Sequence, residues 1–186
     1  MLTEAQKNKA EKRLAEYLLE HYGADIKSAS DKQLFYALAN ISKEYLYQSK
    51  GKFNGHAKNP KAIHYMSIEF LIGKTLRNNL WNLELEETYK NLLREYNRDI
   101  EDVYSIEKDA GLGNGGLGRL ASCYLDSLAR LGYKGYGHCI KYEYGLFKQT
   151  IVNGKQEEIP DEWLDTGKVW LDPREDLAVE VSFGGS

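Results

Sequence analysis

Apolar positions in the first fifty residues recur at helical spacing and predict two helices. Leu14, Tyr17, Leu18 and His21 form the first stripe, and Gly23 is a natural stop. Ser30 and Gln33 form a capping-box pattern ahead of the second stripe, Leu34, Leu38, Ile41 and Tyr45, which Gly51 should end. "GKFNGHAKNP" reads as a loop. "KAIHYMSIEFLIG" is apolar at odd and even positions alike, which predicts a strand covered on both faces, with Glu69 late in it. Helical spacing returns after Thr75, with Leu85, Tyr89, Leu92, Leu93 and Tyr96 on one face.

A third long stripe, Leu117, Leu120, Ala121, Tyr124, Leu125, Leu128 and Leu131, predicts a helix stopped by Gly132. "GYGHCIKYEYGLFKQTIVNGKQEEIP" reads as strands, and Asn153-Gly154 is a strong hairpin signal because a type I′ turn needs positive φ at both central positions. "LAVEVSF" alternates from Leu177 to Phe183 and predicts a half-buried strand. No internal repeat or low-complexity tract interrupts the chain.

Composition narrows the class without naming a function. The 186 residues suit one domain, or one with part of a second. A net charge of -3 gives no footprint for nucleic acid or an acidic membrane. The start lacks the apolar run of a signal peptide, so a cytoplasmic location is expected. Cys123 and Cys139 make neither a disulfide framework nor metal-ligand spacing and read as buried, inert thiols. The 14 tyrosines suit sugar sites, but packing alone also explains them.

The chemistry concentrates in "DAGLGNGGLGRL", residues 109–120, which holds five of the 17 glycines. Gly111, Gly113 and Gly116 fit G-x-G-x-x-G, but the context rejects a dinucleotide fingerprint. The preceding "DVYSIEKDAG" is charged rather than strand-like, and no acidic residue stands about 20 positions on. Arg119 and Leu120 after Gly118 exclude a Walker loop. Two readings stay level: a cradle of N–H groups for an anion at a helix start, and an ordinary loop. Arg119 in the first helical turn opposes the helix dipole and favours an anion there, whereas Glu107 and Asp109 disfavour one unless they point away. For Glu69, a structural carboxylate and a place at a strand's carboxyl end, where open sheets bind ligands, are equally compatible.

"EKDAGLGNGGLGRLASCYLDSLARLGY" resembles the signature of the α-glucan phosphorylases. "NPKAIHYMSIEFLIGKTLRNNL" before it and "GYGHCIKYEYGLFKQTIVNGKQEEIPDEWL" after it resemble the same family in order and spacing, over about residues 30 to 183. The resemblance implies an α/β fold: the first part of the N-terminal Rossmann-like domain of a two-domain, glycosyltransferase-B-type enzyme. Leading helices would occupy residues 1–51, and the start of the α/β domain residues 52–186. It implies phosphorolysis, in which inorganic phosphate cleaves a terminal α-1,4-linked glucose from an α-glucan to give glucose 1-phosphate. It also implies pyridoxal phosphate as cofactor and a homodimer.

Carried over by position, Asn114, Gly115, Gly116 and Leu117 match the family's phosphate- and sugar-facing loop, and Glu69 and Arg119 stand behind it. Leu71 stands where some members have a tyrosine near the cofactor. The family's Schiff-base lysine and catalytic histidine lie further along, and His56, His64 and His138 match neither. No basic serine-containing phosphorylation segment is visible, nor a nucleotide-activator match around "QSKGKFNGHAKNP". The expectation is a fragment inactive on its own, with exposed strand edges and apolar surface. The alternative is a stand-alone module that holds sugar or phosphate without chemistry.

Overall fold

The computed structural model describes residues 4–50 and 61–184. The expected stop at Gly51, the loop around "GKFNGHAKNP" and His56 lie outside the described residues. Helices α1 (Glu4–Tyr22) and α2 (Asp31–Lys50) come first. Gly23, at φ 60°, ends α1 in the left-handed conformation that glycine tolerates best, and its N–H donates to the Leu19 carbonyl. Ser30 and Gln33 close the expected box: the Ser30 N–H donates to Gln33 Oε1 (2.8 Å), and the Gln33 N–H to Ser30 Oγ (3.3 Å).

Strand β1 (Ala62–Met66) precedes three short helices, α3 (Leu76–Asn82), α4 (Glu86–Glu95) and α5 (Ile100–Ile106). Glu84 and Asn97 adopt positive φ at the breaks between these helices. The five helices bury one core, built on Leu14, Leu18, Leu34, Leu38, Tyr89 and Leu92. Burial pushes the phenol of Tyr89 well above its ordinary pKa. Tyr104, at the edge of this core, is shifted the same way, chiefly by burial.

The second half follows. Helix α6 (Gly116–Arg130) leads to β2 (Lys134–His138), which pairs in parallel with β1 from Ala62↔Lys134 to Met66↔His138. The hairpin of β3 (Lys148–Val152) and β4 (Lys155–Ile159) turns on Asn153 and Gly154, both at positive φ as expected. A short helix, α7 (Leu164–Gly167), follows. Among the described residues no helix is long and apolar enough to cross a membrane.

Three expectations are corrected. The strand expected through Glu69 and beyond ends at Met66, and its faces are open to solvent rather than covered. The backbone after it turns to other partners: the N–H groups of Phe70 and Leu71 donate to the carbonyls of Leu112 and Gly118. Leu177–Phe183 forms no strand. It leaves a 3-10 turn at Glu175–Leu177 and runs without a ladder partner, leaving Phe183 90% exposed. Cys123 and Cys139 are exposed thiols: Cys123 lies off the packed side of α6, which Gly118, Ala121 and Ser122 carry, and Cys139 follows β2, where its Sγ donates to the Ile68 carbonyl (3.3 Å).

Candidate functional site

Helix α6 starts on glycine, and that start sets the geometry of the site. Gly115 is its N-cap, with extended backbone at φ -143°, and it has no side chain to cap the helix. In an ordinary N-cap a side-chain oxygen accepts from the N–H two or three positions on. Here Glu69 supplies that oxygen from outside the helix. Its Oε1 accepts from the N–H of Gly118 (3.1 Å), and its Oε2 from the N–H of Asn114 (2.8 Å). One carboxylate thus brackets the turn from both ends. Among the described residues, nothing accepts from the N–H groups of Gly115, Gly116 and Leu117 between them.

The glycines of the stretch divide into two kinds. A Cβ on Gly113 would stand 2.7 Å from the Leu71 nitrogen, and one on Gly118 would stand 3.0 Å from the Glu69 side chain. One on Gly111 would run into the Trp163 indole. These three are glycine so that residues 69–71 and Trp163 can approach the loop. Gly115 and Gly116 have nothing within 4 Å of a built Cβ and no positive φ. Neither packing nor strain within the described chain demands glycine there.

A cavity of about 400 Å³ opens beside the loop, lined by Ile68, Glu69, Gly113, Asn114, Tyr142 and Tyr144. Tyr142 is fixed by its Oη, which donates to the Ile68 carbonyl (2.8 Å), and by its own carbonyl, which accepts from Trp163 Nε1 (3.1 Å). Sequence reasoning did not single out Tyr142 or Tyr144, and the only signal for them was the tyrosine excess. A larger cavity, about 610 Å³, lies away from the loop around Arg77, Trp81 and Tyr104.

The expected site residues come together only in part. Asn114, Gly115, Gly116 and Leu117 form one turn, and Glu69 is bonded directly to it. Arg119 points its guanidinium toward the Leu71 carbonyl at a long 3.5 Å and stays exposed. Glu107, one of the two acidic residues that the anion-cradle reading needed to point away, does so. Buried at 4% exposure, it accepts from the N–H groups of Thr75 (2.9 Å) and Leu76 (3.0 Å) and from Trp170 Nε1 (2.8 Å). His64 and His138 pair with each other across β1 and β2, Nδ1 to Nε2 at 2.8 Å.

N–H groups without a partner at a helix start have the chemistry to accept an anion. A family model described as carbohydrate phosphorylase matches residues 93–186. Glycogen phosphorylase of Chlamydia pneumoniae is 47% identical over 160 residues, covering 85% of this chain and 19% of that protein. Glycogen phosphorylase of Bacillus subtilis (strain 168) is 42% identical over 88% of this chain and 21% of its own length. The human brain form is 43% identical over 84% of this chain and 19% of its own. The chain spans about a fifth of the length of these relatives. With the glycine turn inside the matched region, the chain belongs to the carbohydrate phosphorylase family.

Proposed function

We propose that this chain supplies the glycine-turn half of the phosphate and sugar site of an α-glucan phosphorylase. The complete enzyme would use inorganic phosphate to release glucose 1-phosphate from the non-reducing end of an α-1,4-glucan. One observation carries the reading: among the described residues the N–H groups of Gly115 and Gly116 have no partner, and nothing stands within 4 Å of a Cβ built on either. A phosphate oxygen can come against such a backbone, and the helix dipole favours its charge. Charge that develops on the phosphate during glycosyl transfer meets donors already in place, so little reorganisation is needed. Leu117, exposed in the next position, would lie against the sugar.

Pyridoxal phosphate fits the proposal only as a group held elsewhere in the complete enzyme. No lysine lines the cavity beside the glycine turn, so the described residues provide no Schiff-base partner there. When bound, the cofactor would supply a second phosphate as proton partner of the substrate phosphate. The same reading includes the Rossmann-like domain of a two-domain fold, the division between residues 51 and 52, a cytoplasmic location and a homodimer.

The test is glucose 1-phosphate release from maltoheptaose and inorganic phosphate. The complete enzyme carrying this chain should turn over, and the 186-residue chain alone should not. Turnover by the isolated chain would refute the division of the site. Failure of a folded complete protein would refute the function. Gly115→Ala and Gly116→Ala keep the N–H, but the added methyl would hold a phosphate oxygen off it, so each should cost up to about 100-fold in turnover, the scale of a preorganised donor put out of reach.

A further inference from the structure

We propose that Glu69 is a positioning residue for phosphate. Its carboxylate stands in for the missing N-cap side chain of α6 and holds the Gly115–Leu117 N–H groups free and aligned. The inference rests on the function proposed above.

A glycine N-cap leaves the start of α6 without a side-chain restraint of its own, since its backbone is extended and it carries no capping oxygen. An unrestrained helix start frays, and a frayed turn does not present preorganised donors. Glu69 removes that freedom at two points. It takes the N–H of Asn114, just before the cap, and that of Gly118, three residues after it. The residues between are then fixed at both ends while their own N–H groups stay unspent.

Glu69 is itself held. The Ser67 hydroxyl donates to its carbonyl (2.7 Å), and its backbone N–H donates back to that hydroxyl (3.3 Å). The next two residues dock by backbone bonds to Leu112 and Gly118. The close approach also explains two glycines, because Gly113 and Gly118 are the positions where a Cβ would strike residues 69–71.

A carboxylate beside an anion site carries an electrostatic cost, since like charges repel. Two opposite predictions therefore separate the positioning role from simple competition. If Glu69 only occupies donors that phosphate could use, neutralising it would tighten phosphate binding. If it aligns the turn, the isosteric Glu69→Gln variant would weaken phosphate binding. Glutamine keeps one acceptor oxygen and turns an NH₂ toward the other N–H.

The experiment is steady-state kinetics of the complete enzyme with phosphate and maltoheptaose varied separately. Glu69→Gln is expected to raise KM for phosphate about tenfold and leave KM for the glucan within about twofold. Glu69→Ala should show the same split, and added acetate should partly restore its phosphate KM by refilling the carboxylate position. Amide hydrogen exchange without substrate should quicken at residues 113–118 in Glu69→Gln and not in the α1–α2 core. An unchanged or lower phosphate KM in Glu69→Gln, with an active parent enzyme, overturns this inference alone. So does an equal rise in both KM values. A parent enzyme that releases no glucose 1-phosphate overturns the proposed function first.

Discussion

Helices α2 and α6 carry apolar stripes of the same kind, yet only one is buried. In α2, Leu34, Leu38 and Ile41 are sealed against α1, α3 and α5. In α6, Leu117, Leu120 and Tyr124 stand about half exposed, and Gly118, Ala121 and Ser122 form the packed side. The same contrast runs through the two halves of the molecule. The helical half closes on itself, while β1, β2 and α6 leave Met66, Ile68 and Leu131 open to solvent. A stripe at helical spacing therefore specifies a helix and a face that favours cover, but not what covers it. Open apolar surface of this kind marks a place for further contacts.

The two halves also end their helices differently. Glu107 spends itself on the Thr75 and Leu76 N–H groups and on Trp170, closing the start of α3. Glu69 brackets the start of α6 but leaves its middle open. One helix start is closed as a structural joint, and the other leaves donors without a partner among the described residues, where the proposed phosphate would sit.

The largest expected break in the contrast is a core truncation. Leu38→Ala, at a fully buried position, should cost about 2–5 kcal/mol in urea unfolding. Leu120→Ala in the exposed stripe should stay within about 0.5 kcal/mol. Equal losses at both sites would mean that α6 is covered in solution. Next, Glu107→Ala should lose about 2 kcal/mol, since one buried and two part-buried donors lose their acceptor.

Within the glycine turn, Gly113→Ala should cost about 1–3 kcal/mol by striking the backbone of residues 70 and 71. Gly115→Ala should leave unfolding nearly unchanged while impairing the proposed phosphate site. If Gly115→Ala unfolds the chain as readily as Gly113→Ala, the division of the glycines into two kinds fails.

The smallest effect is alkaline. Burial raises the folded pKa of Tyr89 above its unfolded value, so above about pH 10 the unfolded state holds fewer protons than the folded one. That contribution to stability is complete below pH 10 and falls as pH rises, by at most about 1.4 kcal/mol per pH unit. Tyr89→Phe should flatten the decline measured by urea midpoints between pH 9 and 11. An unchanged slope would place its cause outside the core phenol.

Much of the local structure was legible in the sequence. The first two helices, the Ser30–Gln33 box, the Asn153–Gly154 turn and the helix after the glycines all follow from signals within a few residues. The fate of Leu177–Phe183 and the end of β1 were not legible, because a strand exists only with a hydrogen-bonded neighbour. Nor was the exposure of Cys123 on α6, since helical spacing does not say which face finds a partner.

By itself, the sequence determined that a helix begins at the glycines and that an anion or open solvent would face its first turn. Only the tertiary structure decided which glycines make room for protein and which face empty space. It also assigned Glu69 to the start of α6 and Glu107 to that of α3. The reason is physical: these hydrogen bonds join segments more than thirty residues apart, and no local pattern encodes a contact that exists only once both segments have folded.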